Sequence, residues 1–119
     1  AYSTNYLTHK NPVLNVNNFS FPSGFTLPAV LNAVFRKNVF WGDNGIVKNE
    51  VVVNKQGANP FIVLFEKNIY RLANDPANST LTGNIKNADP SFDSIAVSKK
   101  IFDFRITKNA GAPGINYGN

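Results

Sequence analysis

Two stretches of this chain, thirty residues apart, are written in nearly the same letters. Residues 34–44 read Val34-Phe35-Arg36-Lys37-Asn38-Val39-Phe40-Trp41-Gly42-Asp43-Asn44, and residues 64–74 read Leu64-Phe65-Glu66-Lys67-Asn68-Ile69-Tyr70-Arg71-Leu72-Ala73-Asn74. Phe35 aligns with Phe65, Lys37-Asn38 with Lys67-Asn68, Val39 with Ile69, Phe40 with Tyr70, and Asn44 with Asn74. A repeat at a period of about twenty to fifty residues marks a stacked array, in which each unit buries its apolar face against the next. The chain is therefore expected to be an array, and part of a longer object.

Composition narrows what the repeated unit can be. At 119 residues the chain is one domain's worth at most, with a modest core. Apolar residues make up 43%, which argues against disorder, while charged residues reach only 16%. Asn takes their place, with nineteen copies. Asn competes for backbone groups inside helices and tolerates left-handed turns, so short strands joined by tight turns are expected.

Along the chain, residues 12–21 alternate apolar and polar as a half-buried strand does. Pro22-Ser23-Gly24 and Pro28 mark a loop. Strands are expected at 34–41 and 46–54, separated by the turn Gly42-Asp43-Asn44-Gly45, and again at 61–72. Residues 27–34 carry a trace of helical periodicity, too short to weigh. Residues 73–84 form a polar connection with room for one helical turn. Residues 102–106 alternate with Phe102, Phe104 and Ile106 inward and Asp103 and Arg105 outward.

If Asn18, Asn38 and Asn68 each mark one coil, the spacings are twenty and thirty, and a coil of about twenty residues plus an insertion fits a parallel β-helix. Stacked rungs about 4.8 Å apart would place Phe35 against Phe65 in the interior. Asn18, Asn38 and Asn68 would form a ladder at a turn, each side-chain amide bonding the next rung's backbone. The alternative is a small antiparallel sandwich with an accidental local match.

Several motifs then add a resemblance. His9-Lys10-Asn11-Pro12-Val13-Leu14, the stretch from Phe35 to Asn44, Asn87-Ala88-Asp89-Pro90-Ser91-Phe92, Phe104-Arg105-Ile106 and Gly111-Ala112-Pro113-Gly114-Ile115-Asn116 occur in this order. Together they resemble the C-terminal segment of secreted right-handed parallel β-helix proteins of the Bacteroidetes type, with a pectate-lyase-like fold. The pattern departs at Gly111-Ala112-Pro113-Gly114, where that family has Gly-Ser-Pro-Ala, and at residues 93–100, which are longer than usual. The resemblance implies an all-β right-handed parallel β-helix of about three to four rungs over residues 1–86, closed by a capping tail at 87–119. It also implies earlier rungs, or a partner chain, at the N-terminal edge. Its relatives in fold include polysaccharide lyases, glycoside hydrolases and non-catalytic surface proteins, and fold alone does not choose among them.

The chemistry-bearing residues are sparse. There is no cysteine, which excludes disulfides, thiolate metal sites and cysteine nucleophiles. The seven acids are Asp43, Glu50, Glu66, Asp75, Asp89, Asp93 and Asp103; none are adjacent, so no cation site is expected. The lone histidine, His9, is expected to pack against or cap a neighbouring rung rather than act as a base. The net charge of +5 is spread along the chain, with no basic-aromatic nucleic-acid motif. No apolar run is long enough for a membrane span. Trp41 offers a flat ring for a sugar, against the plainer reading of a Trp packed under residues 42–60. If the chain binds glycan, Trp41, Arg71, Arg36 and Lys67 are expected on one outer face. Asp93-Ser94-Ile95 fits a short O-glycosylation pattern at Ser94, and Asn18-Phe19-Ser20 and Asn78-Ser79-Thr80 fit the N-linked sequon.

The leading expectation is an exported, surface-located protein segment, outside the outer membrane or in the periplasm. It would complete and cap a β-helix associated with polysaccharide, without cofactor or catalysis of its own. The rivals are a part of a polysaccharide lyase or glycoside hydrolase, and an assembly or adhesion subunit that docks on a partner's sheet edge.

Overall fold

A computed structural model describes residues 2–3, 9–20, 24–42, 46–106 and 111–114. The chain is all-β, with a 3-10 turn at Val97–Lys99 between its last two strands. In order, the strands are β1 (Tyr2–Ser3), β2 (Leu14–Asn17), β3 (Phe19–Ser20), β4 (Leu27–Pro28), β5 (Leu31–Arg36), β6 (Val39–Gly42) and β7 (Val51–Asn54). They continue with β8 (Phe61–Glu66), β9 (Ile69–Tyr70), β10 (Thr80–Thr82), β11 (Ile85–Lys86), β12 (Phe92–Ala96) and β13 (Ile101–Ile106).

Among the described residues these strands form five small sheets. β10, β8 and β5 lie side by side, as do β1, β6, β9 and β11, and every pairing within these two sheets is parallel. β2 pairs with β7, also parallel. β3–β4 and β12–β13 are antiparallel. The repeat sets the register: Phe35 faces Phe65 and Phe40 faces Tyr70, each thirty residues on. The next strands follow after only sixteen, with Leu81 opposite Phe65 and Ile85 opposite Ile69.

Each expected strand through the repeat is in fact two. Residues 34–41 break at Lys37-Asn38 and residues 61–72 at Lys67-Asn68, because Lys37 (φ 57°) and Lys67 (φ 53°) are left-handed. A left-handed residue turns the strand off its line, which hands the chain from one sheet to the next. Gly83 (φ 59°) does the same between β10 and β11. The 73–84 connection carries β10 rather than a helical turn, and residues 27–34 form β4 and part of β5. The Asp43-Asn44-Gly45 part of the expected turn lies outside the described residues.

The core follows the alternation of β8. Val63 and Phe65 point inward and are buried, while Ile62, opposite Asn32, faces out and is 57% exposed. Phe65 lies parallel to Phe35 with ring centroids 5.0 Å apart, and Phe40 meets both edge-on. Val16, Val51, Val53, Tyr70 and Leu72 complete the cluster. Edge-to-face and offset contacts of this kind each contribute about 0.5–1.5 kcal/mol beyond area burial. The β12–β13 hairpin departs from the expected alternation: Phe102 and Phe104 are exposed and Asp103 is half-buried. Phe104 is held edge-on by Phe92 instead, at 5.3 Å. No helix among the described residues is long and apolar enough to cross a membrane.

Candidate functional site

The most organised polar feature is a row of three asparagines, each one residue past a left-handed turn. Asn68, fully buried, accepts the Asn38 backbone N–H at its Oδ1 (2.9 Å) and donates from Nδ2 to the Phe35 carbonyl (2.8 Å). Asn84 repeats the pattern one step on: its Oδ1 accepts the Asn68 N–H (2.9 Å) and its Nδ2 donates to the Phe65 carbonyl (2.8 Å). The side chains also bond one another, Asn38 Nδ2 to Asn68 Oδ1 at 3.2 Å and Asn68 Nδ2 to Asn84 Oδ1 at 3.0 Å. A strand that bends at this point has backbone groups out of reach of the next strand's ladder, and a buried N–H left alone is costly. The Asn amide, with donor and acceptor on one flat group, fills that gap.

Asn18 is not a member of this row. Its Nδ2 donates to Ala29 O (2.9 Å) and Gln56 O (3.0 Å), and its Oδ1 accepts the Gln56 N–H (2.9 Å). It ties the β3–β4 hairpin to the residues after β7. This corrects the expected ladder: Asn84, not Asn18, stands beside Asn38 and Asn68. The sequon at Asn18 is closed for the same reason, since the residue is buried and its amide is engaged on both sides. Asn78 is exposed.

The four candidate glycan residues do not share one face. Arg36 ends β5 and pairs side chain to side chain with Glu66 on the neighbouring strand. Trp41 lies beyond the bend, on β6, and is half-buried between buried Phe40 and Gly42. Arg71 follows β9 and donates from Nη1 to the Gly42 carbonyl at 2.8 Å, which ties its guanidinium to the strand of Trp41. Lys67 occupies the left-handed turn itself. There it lines a cleft of about 240 Å³ with Lys37, Asn38, Val39, Ile69 and the hairpin's Ile106. The structure thus brings Trp41 near Arg71's bonding partner and Lys67 beside Lys37, and leaves Arg36 with its acid.

Glu50 is a functional-looking residue that the sequence reading passed over. Its side chain is fully buried; Oε2 accepts the Val13 N–H at 3.2 Å and Oε1 is 3.4 Å from His9 Nε2. Its backbone bridges two segments, donating to Arg71 O and accepting from Leu14 N. His9 is half-buried and reaches this carboxylate across the start of β2. Ser94 is exposed on β12, opposite Asp103. Three side-chain bonds from Arg105, joined by its backbone N–H, hold the Asp103 carboxyl down to about 2, well under its ordinary value.

Among the described residues, no group of three or more His, Cys, Asp or Glu side chains converges. What the geometry offers is a spine of amides, one buried carboxylate–imidazole contact, and a basic cleft with an apolar wall. No family model matches this chain, nor does any characterised protein or solved structure.

Proposed function

We propose that this chain is a stretch of right-handed parallel β-helix from an exported surface protein. Its work within these residues is to stack rungs and close them with the tail at 87–119. The observation that carries the reading is the Asn38–Asn68–Asn84 row, flanked on both sides by parallel strands in one register. One coil would run β5–β6–β7 and the next β8–β9, with β10–β11 beginning a third. The right hand follows from the strong preference of parallel crossovers for that sense. The resemblance of the lead-in and tail motifs supports export and a surface location.

Polysaccharide is the substance we propose the protein meets, in a non-catalytic way. Trp41 supplies a partly open ring, and Lys37 and Lys67 supply charge in the cleft. Affinity gel electrophoresis against neutral and acidic polysaccharides tests this. Retardation of the chain, weakened in Trp41→Ala, is the expected result; equal mobility with and without every polysaccharide would remove the sugar from the reading. A second reading, docking to another protein, is favoured by the exposed Phe25, Leu27, Val30, Val34 and Ile62 on and around β4, β5 and β8.

A further inference from the structure

We infer that the outer edge of β5 is a docking surface for one more parallel strand, supplied by the polypeptide that leads into Tyr2. This rests on the β-helix reading above.

The argument begins with backbone direction. Leu31 N donates to Pro60 O and Lys37 N to Glu66 O, both at 3.1 Å. In a parallel pair each residue sends both backbone groups to the same side. Leu31, Ala33 and Phe35 therefore bond β8, while Asn32, Val34 and Arg36 turn their N–H and C=O groups away from it. β5 is the last strand of its sheet on that side among the described residues. An open row of such groups is a template for another strand.

The register then names the occupant. Tyr2 faces Trp41, an offset of thirty-nine residues. β6, which carries Trp41, is reached from β5 through the Lys37-Asn38 bend. A chain that enters β1 through an equivalent bend must come along the edge of β5. At constant offset, the second residue ahead of Ala1 faces Asn38, and the fifth faces Phe35.

Asn38 gives an independent sign of the same vacancy. Asn68 and Asn84 each send Nδ2 to a carbonyl of the preceding strand, Phe35 and Phe65. Asn38, whose preceding strand would be the proposed one, folds its Nδ2 back onto Arg36 O of its own strand at 3.0 Å. Phe35 likewise is stacked on Phe65 yet only half-buried, whereas Phe65 is fully buried. The occupant is thus an extended segment with apolar residues facing Leu31, Ala33 and Phe35, and a bend facing Asn38.

A copy of residues 31–39 placed directly ahead of Ala1 sets each residue opposite its own original. Amide exchange followed by NMR compares this chain with the 119-residue chain, and with a chain carrying one Gly between copy and Ala1. The added residue shifts the register by one and turns the apolar side outward. The expected result is slowing of the Asn32, Val34 and Arg36 amides by about tenfold or more in the in-register chain only. The Asn38 side-chain amide resonances should shift with it. No slowing, or equal slowing in both extended chains, overturns the inference. If Ala33 and Phe35 exchange as fast as Asn32 and Val34 in the 119-residue chain, the parallel stack itself is wrong and the inference falls with it.

Discussion

Asn68→Ala should be among the most damaging polar substitutions in this protein. Four bonds touch its side chain: from the Asn38 N–H, from Asn38 Nδ2, to Phe35 O and to Asn84 Oδ1. The Phe35 carbonyl faces β8 and Asn84 Oδ1 keeps the Asn68 N–H, so neither is stranded. The Asn38 N–H is different, because its acceptor disappears inside the fold. An unsatisfied buried donor costs about 1–3 kcal/mol, and each further neutral bond lost costs about 1 kcal/mol. With three further bonds lost, the sum is about 4–6 kcal/mol, a large part of the stability of a domain this size. Asn38→Ala should cost only about 2 kcal/mol, since its two lost bonds are its own donations and its backbone N–H keeps Asn68. Asn68→Asp keeps the acceptor but aims a second oxygen at Phe35 O and Asn84 Oδ1. Burial and those oxygens raise that Asp's folded pKa, so the variant should regain stability as pH falls and the neutral acid donates again. Urea unfolding followed by the fluorescence of Trp41 gives all three values. An Asn68→Ala cost at or below that of Asn38→Ala would refute the reasoning, because the row would then not be holding the bend.

Other outcomes follow from the same contacts. Phe65→Ala should cost about 4 kcal/mol and Phe35→Ala clearly less, since only Phe65 is fully buried; urea midpoints that rank the other way would overturn the packing described. His9→Ala should cost about 1–3 kcal/mol by removing the imidazole that faces the buried Glu50 Oε1, and Glu50→Gln in that background should recover part of the loss. A His9→Ala midpoint equal to wild type would show that the contact carries no weight. The Asp103 carboxyl is held at about 2 by Arg105, so the hairpin gains stability that is present above the ordinary carboxylate range. That gain is lost as pH falls from about 4 through about 2. Side-chain carboxyl NMR shifts should place the Asp103 midpoint near 2 in wild type and near 4 in Arg105→Ala, and an unmoved midpoint would refute the pairing.

Much of the packing was legible in the letters. The thirty-residue offset gives the Phe35–Phe65 stack and the Asn38–Asn68 bond directly, and even the Arg36–Glu66 pair, since Arg and Glu align in the repeat. Asn84 was hidden because its pairing offset is sixteen residues rather than thirty and its left-handed position is Gly83 rather than Lys. The run Glu66-Lys67-Asn68-Ile69 against Thr82-Gly83-Asn84-Ile85 was the available signal. Asn18 misled because alternation around it matches the repeat, while its amide serves a different crossing, thirty-eight residues away. A turn at Asn38 and Asn68 was expected, but its left-handed residues, Lys37 and Lys67, were not legible because lysine does not announce a left-handed backbone as glycine does. Glu50 was overlooked because one acid ahead of Val51-Val52-Val53 looks like solvent until the residue facing it, His9, is known.

The change of offset from thirty to sixteen gives the molecule a direction. The stretch after β6 includes β7, whereas the stretch after β9 meets the lead-in to β7 through an antiparallel bridge between Leu72 and Asn49. The pairing strands shorten along the chain, with β10 and β11 three and two residues long. Short edges recruit neighbours poorly, while the six-residue β5 at the opposite end is a far better template. On the β-helix reading proposed above, the short β10 and β11 edges and the longer β5 edge are unlike, so the two ends of the chain would recruit strands unequally.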